Sequence, residues 1–350
     1  MPLNEGYSTR AILSAIMMIA TFNRVAYALG GIMHLSITVE GRIGLNWPRW
    51  KMLTQAIEPL GFYGHYCSDH FVGREPPDQD SLEVFMALMY LADHSQRVQI
   101  GTMVSPLSFR DPVIMARQAM AINDLSGGRM ILGVGTGHIE REHKVFGYAL
   151  GDLKTRTDRF AEGLEVITRL TRSDAPVTFE GRFYHLQEAE LRPRPQYPLR
   201  LLIGGYGRER NMSLTARYAD VWNAQYLTFN ELRERNTLLD DLLRKQGRQP
   251  NDVKRTAIRT IYCWRNDAER ERLADAFRGI PGLFPSVPTD ELIKHFKDNF
   301  SAVCGTPDEV IEQLRGFEAA GIEEFMWQYV TFDTVEPLNI VAESVLPYLI

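Results

Sequence analysis

The chain has 350 residues, of which 45% are hydrophobic, 10% aromatic and 24% charged, a composition that excludes disorder, collagen-like repeats and a disulfide scaffold. With 39 basic against 44 acidic residues, a formal charge of −5 and no long run of either sign, it lacks the electrostatic footprint of a nucleic-acid or anionic-membrane binder. The expected partner is a small molecule, and the length suits one large barrel or two ordinary domains.

In chain order, the first feature is the apolar run Ala11 to Ala20 (AILSAIMMIA), which Asn23 and Arg24 stop short of the ~20 residues of a membrane span. Residues 1–32 read as an N-terminal extension, either an appended helix or translation begun upstream of Met33. The small residues at Ala26-Tyr27-Ala28 leave a secretory signal as the other reading. From Met33 on, eight short β-branched and apolar runs recur: HLSITV at 34–39, GHYCSD at 64–69, VQIGTMV at 98–104, MILGVG at 130–135, LRLLIGG at 199–205, DVWNAQ at 220–225, RTIYCW at 259–264 and EEFMWQYV at 323–330. Helical periodicity fills the intervals at 112–125, 159–170, 230–245 and 308–320. Asp111 before Pro112, Ser126-Gly127-Gly128, and Thr306-Pro307-Asp308 punctuate those helices as caps and stops.

Apolar strands alternating with helices predict a parallel sheet buried on both faces. Eight such units, with no Gly-x-Gly-x-x-Gly after the first strand (which ends Glu40-Gly41-Arg42), predict an α/β fold of the TIM (β/α)₈ type, one domain over 33–350. Two insertions are expected: one at about 177–195, opening on a hairpin that turns at Glu180-Gly181, and one at 247–305 covering an end of the barrel. Three widely spaced cysteines, Cys67, Cys263 and Cys304, predict a reducing compartment, no disulfide framework and no structural zinc.

In a barrel the chemistry sits at the C-terminal ends of the strands. The second strand ends in Asp69-His70, a carboxylate beside a group that titrates near neutrality and suits proton transfer to or from an oxygen; a structural pair is the competing reading. The fourth ends in Thr136-Gly137-His138, followed by Glu140, Arg141, Glu142 and His143, which read as exposed helix charges as easily as a metal site, and no His-Glu-x-x-His is present. The fifth runs Gly204-Gly205-Tyr206-Gly207-Arg208-Glu209-Arg210 straight into a helix, where bare amides and the helix dipole can hold a phosphate and Arg208 or Arg210 can add a charge-assisted bond. The third strand's end, Thr102-Met103-Val104-Ser105-Pro106, offers shape, backbone and a hydroxyl.

The ordered motifs SDHF (68–71), IGTMVSPLSFRDPVIMARQAMAINDLSGGRMILGVGTG (100–137), EREHKVFG (140–147), FEGRFYHL (179–186), PLRLLIGGYGRERNMSLTARYADVWN (198–223) and GTPDEVIEQLRGFEAAGIEEF (305–325) make the chain similar to the luciferase-like flavin and deazaflavin oxidoreductases, in particular the branch using the deazaflavin coenzyme F420. The resemblance covers about 33–349. It implies a ring system lying across the barrel mouth, with Asp69 as a ring contact and His70 as the acid/base. It also implies a non-proline cis peptide between Met103 and Val104 behind the ring, further cofactor contacts at Thr136, Gly137 and His138, and a phosphate tail held by Gly204, Gly205, Tyr206, Gly207 and Arg208.

Tyr206 stands where that branch usually has glycine. In its sugar-phosphate dehydrogenases a glutamate follows the Gly-Thr-Gly turn, whereas here it is His138, with Arg141 where asparagine is expected. Ala224-Gln225-Tyr226-Leu227 is uncharged, so a sugar phosphate is not the expected substrate. Trp222, Tyr226, Trp264, Trp327 and Tyr329 are candidates for an apolar pocket, with core packing as the competing role. The resemblance therefore implies hydride transfer between F420 and a small carbonyl, alcohol, imine or activated alkene, with a homodimer as the family's habit; the cysteine usage and the absence of metal-ligand spacing add the expectation of a cytoplasmic enzyme without a metal. Two other readings stay open: a two-component monooxygenase using FMN and oxygen, fed by a separate reductase, and a non-catalytic flavin or deazaflavin carrier or sensor.

Overall fold

The computed structural model describes residues 33–349 apart from 281–283 and 285; the expectation for 1–32 lies outside the described residues. Eight parallel strands follow in order: β1 His34–Val39, β2 Gly64–Cys67, β3 Gln99–Thr102, β4 Met130–Gly135, β5 Arg200–Gly205, β6 Val221–Gln225, β7 Lys254–Arg259 and β8 Glu324–Tyr329. The ladder runs β3-β2-β1-β8-β7-β6-β5-β4, and pairing of Ile100 with Met130 and Gly101 with Ile131 closes it into the predicted barrel. Helices α1 Trp47–Ile57, α2 Val84–Asp93, α3 Pro112–Leu125, α4 Glu140–Phe146, α5 Leu153–Arg172, α6 Glu209–Tyr218 and α7 Phe229–Lys245 occupy the first six crossovers.

Period-two alternation sorts the strand residues into two cores. Tyr66, Met103, Ile131, Leu202, Val221, Ile258 and Met326 pack inside the barrel, while their sequence neighbours face the helices in one continuous outer core. The N-terminal end of the barrel is plugged by polar groups: Ser36 Oγ donates to Glu324 Oε1 at 2.6 Å and Lys254 Nζ to Glu324 Oε2 at 2.8 Å. The predicted α3 begins and ends where its caps lie. Asp111 accepts the Val113 and Ile114 amides, and Gly127 and Gly128 turn the chain away with φ of 69° and 88°.

The seventh strand departs from expectation. It is Lys254–Arg259, not 259–264, and so lies inside the stretch 247–305 expected to be an excursion, which begins only after it. Charges hid the strand: Lys254, partly buried, pairs with Glu324, and Arg255 is buried by pairing with Asp240. The apolar residues Ile261–Cys263 leave the barrel and pair instead with Val303–Gly305. Between them stand α8 Asp267–Arg278 and α9 Thr289–Phe300, packed edge to face through Tyr262, Phe277, Phe284 and Phe296. The hairpin at 177–189 forms as expected, with Glu180 opposite His185. The chain then returns through α10 Pro307–Ala319 to β8 and closes on α11 Glu336–Ser344.

Candidate active site

The mouth is built on an interruption of the β3–β4 ladder. After Gly101↔Ile131 the backbone pairing stops and resumes at Ser105↔Val134, and between them the Met103–Val104 peptide is cis. Glycines on the neighbouring strands make room for Val104. A Cβ at Gly133 would stand 3.1 Å from Val104 Cγ1, one at Gly135 2.7 Å from Cγ2 and one at Gly204 3.4 Å from Cγ1. Three bare positions on β4 and β5 thus surround the Val104 side chain as it rises above the barrel core, giving a low apolar floor on which a flat ring can lie.

Beside that floor, Asp69 is buried and accepts two parallel bonds from Arg110, Nε to Oδ2 at 2.8 Å and Nη2 to Oδ1 at 2.7 Å. Burial works against the Arg110 charge, but Asp69 and Glu83 more than compensate and push its pKa up. His70 places Nδ1 3.2 Å from Glu142 Oε2, and its ring meets that of His138 edge-on with centroids 5.7 Å apart. His138 is exposed at the mouth; desolvation by the surrounding walls, then the charges of His70, Arg74 and Arg42, lower its pKa to about 4 against the opposing pull of Glu40, so the imidazole is neutral at pH 7. Thr136 and Gly137 form the turn before it, and Arg156 Nη1 donates to the Gly137 carbonyl at 3.0 Å.

A polar chain closes the other side of the mouth. Glu40, at the end of β1, accepts from Ser68 Oγ and Gln328 Nε2, both at 2.9 Å, and lies 3.1 Å from Arg42 Nε. Burial would raise its pKa, yet Arg42, His70 and the two hydrogen bonds outweigh it and hold the carboxyl below its ordinary range. Gln328 passes the chain on, accepting from Tyr226 Oη at 3.0 Å. Tyr226 has φ 51°, a left-handed backbone rare for a bulky residue, and its ring covers the Arg259 guanidinium at 5.1 Å. Arg259 is fully buried, bonds the Leu227 carbonyl through Nη2 at 2.7 Å and has its pKa lowered to about 10 by desolvation.

At the end of β5, Gly205 and Gly207 take φ of 149° and 67°, and a Cβ at Gly207 would meet Arg235 Cδ at 2.8 Å, so both positions require glycine. Tyr206 between them is exposed. Arg208 is the residue before α6 and provides no side-chain acceptor, which leaves the first-turn amides of that ten-residue helix open to an anion. Arg210 is committed to Asp158.

The structure therefore brings Asp69, His70, Met103, Val104, Thr136, Gly137, His138 and Gly204 to Arg208 to one end of the barrel. It overturns the reading of Glu142 and His143 as exposed charges, since both are buried. Trp222, Trp327 and Tyr329 are core residues, and Trp264 packs on Tyr262 in the excursion. Sequence reasoning passed over Arg110 and Gln328, misjudged the burial of Glu142 and missed the role of Glu40. For Glu40 a signal existed, because a carboxylate directly after a barrel strand stands at the mouth. Among the described residues no group of three or more His, Cys, Asp or Glu is arranged to hold a metal ion.

The profile describing luciferase-like monooxygenases matches residues 33–324. An F420-dependent glucose-6-phosphate dehydrogenase of Amycolatopsis mediterranei is 27% identical over 317 residues, 83% of this chain and 91% of that protein. A 4-hydroxyprotoasukamycin monooxygenase of Streptomyces nodosus subsp. asukaensis is 29% identical over 264 residues, 69% of this chain and 68% of its own. Among solved structures, an F420-dependent secondary alcohol dehydrogenase in complex with an F420-acetone adduct superposes with a TM-score of 0.76 at 21% identity, covering 91% of this chain and 99% of the other.

Proposed function

The chain belongs to the luciferase-like monooxygenase family, and on that premise we propose that it is an F420-dependent oxidoreductase exchanging hydride with a small, uncharged carbonyl, alcohol, imine or activated alkene. The observation that carries this reading is that β2, which leads into Asp69-His70, pairs with β3 up to Cys67↔Thr102, immediately before the apolar Val104 floor, and that Gly204 in the glycine turn at the end of β5 borders the same floor. A planar ring fits the floor, and a phosphate fits the open amides before α6. When bound, the deazaflavin supplies the two-electron hydride chemistry.

This chain's residues do the rest. The Val104 floor would support the ring and keep water from beneath it. Asp69, immobilised by Arg110, would contact the ring beside His70, and Thr136, Gly137 and His138 would help to hold it. Gly204, Gly205, Tyr206, Gly207 and Arg208 would hold the linker and phosphate. His70 gives a proton to the substrate oxygen or nitrogen in reduction and takes one from an alcohol in oxidation. Glu40, Gln328 and Tyr226 offer the substrate hydrogen-bonding groups without a net positive charge, which disfavours a sugar phosphate.

The test is a fluorescence titration with F420 and, separately, with FMN, followed by anaerobic turnover on a panel of secondary alcohols, ketones and enones. Binding of F420 with turnover that oxygen does not alter supports the reading, and His70→Ala is expected to abolish turnover while keeping the cofactor. The monooxygenase relative favours the second reading: preference for FMN with an oxygen requirement identifies a two-component monooxygenase served by a reductase. Binding without turnover identifies a carrier or sensor.

We infer a cytoplasmic enzyme, supported by three free, buried cysteines; among the described residues no helix is long and apolar enough to cross a membrane. The exposed apolar side chains Trp47, Met86, Met89 and Leu125 on α1 to α3 support a homodimer through that face. Met86→Glu with Met89→Glu is expected to yield a monomer in sedimentation.

A further inference from the structure

We infer that Glu142 is the positioning residue that fixes His70 in a single tautomer, Nδ1 protonated and Nε2 bare; this rests on the reading of His70 as the proton-transfer group. Glu142 lies in the first turn of α4 with a side chain only 1% exposed, and its two oxygens have separate duties. Oε1 accepts the Phe71 amide at 2.5 Å, and Oε2 faces His70 Nδ1 at 3.2 Å. A carboxylate has no proton to give, so the ring nitrogen that faces it must be the donor. The opposite nitrogen, Nε2, then keeps its lone pair and is the atom able to accept a proton from an alcohol.

The backbone is pinned on both sides of the ring. Ser81 Oγ donates to the His70 carbonyl at 2.5 Å, and the next amide is the one held by Glu142. One carboxylate therefore fixes the position of the imidazole through the Phe71 amide and its protonation pattern through Nδ1. The other ionisable groups facing His70 are Glu40 from the end of β1 and His138 from the turn after β4. Neither has a hydrogen bond to the His70 ring among the described residues, so the tautomer is set from the Glu142 side. An orienting acceptor of this kind serves general-base histidines widely, because the wrong tautomer presents N–H where a lone pair is needed.

Glu142→Gln tests this while nearly preserving shape. A glutamine has one acceptor oxygen, which the Phe71 amide claims, and its NH₂ then turns towards Nδ1 and forces the proton to Nε2. With ¹⁵N-histidine-labelled protein, and the His70 signals assigned by their loss in His70→Asn, the wild type is expected to show the Nδ1–H tautomer and Glu142→Gln the Nε2–H tautomer. On the secondary-alcohol panel with F420, kcat is expected to fall roughly 10²–10⁴-fold with KM and the F420 Kd within about twofold. An Nε2–H wild type, or a Glu142→Gln protein that keeps Nδ1–H or its kcat, overturns the inference. The wild-type spectrum decides even if the variant fails to fold. Should His70→Ala retain turnover, the parent reading of His70 falls; should His70→Ala lose turnover and Glu142→Gln keep it, only the role of Glu142 falls.

Discussion

His65 gives the protein a built-in sensitivity to acid. It lies in the middle strand position of β2, fully buried, with its ring 4.5 Å from that of Trp50 on α1 and neither ring nitrogen hydrogen-bonded among the described residues. Desolvation alone lowers its pKa from 6.5 to about 3. The sign follows from linkage: between those values the unfolded chain binds a proton that the folded chain refuses, so stability is full above pH 6.5 and is lost as pH falls towards 3. At about 1.36 kcal/mol per pH unit, His65 costs about 2 kcal/mol at pH 5 relative to pH 8, and at most about 5 kcal/mol below pH 3. His34 and His138, both with pKa values lowered to about 4, add loss of the same sign. The perturbation is His65→Leu, which keeps the volume approximately and removes the titrating group together with two unpartnered ring nitrogens. Urea unfolding of both proteins from pH 8 to pH 5 should show the variant at least as stable as wild type at pH 8 and more stable by an additional 2 kcal/mol or so at pH 5. Parallel pH dependences for the two proteins would refute the reasoning, since they would mean that His65 is protonated in the folded state.

Other expectations concern the mouth itself. Asp69→Asn removes one acceptor of the paired bonds to Arg110 and should lower unfolding free energy by about 2–3 kcal/mol, measured in urea, with Glu83 retaining part of the guanidinium's compensation. Gly207→Ala puts a Cβ at a φ of 67° and against Arg235, costing about 1–2 kcal/mol in stability. The same variant should weaken F420 at least tenfold in a fluorescence titration, and an unchanged Kd would remove this turn from the cofactor site.

Much of the molecule was legible along the chain. Short, near-continuous apolar runs alternating with punctuated helices predict a closed parallel barrel, because strands buried on both faces must be apolar and a side-chain acceptor such as Asp111 marks where a helix starts. The pair Asp69-His70 and the turn Gly204 to Arg208 were legible for the same reason: they follow strands directly, and strand ends are where a barrel opens. The seventh strand was not legible, since Lys254 and Arg255 become tolerable in a buried strand only when Glu324 and Asp240 arrive from other elements to neutralise them. Glu142 illustrates the same limit. Its charge reads as a solvated helix face in sequence, and only the approach of α4 to the end of β2 turns it into the buried acceptor of Phe71 and His70. Local pattern determines where strands and caps fall because those interactions act over a few residues. Which charges are buried, and against whom, is decided between elements from 15 positions apart, as for Arg255 and Asp240, to 70 or more, as for Lys254 and Glu324 or His70 and Glu142, where solvation lost on burial has to be replaced by partners that only the closed barrel brings together.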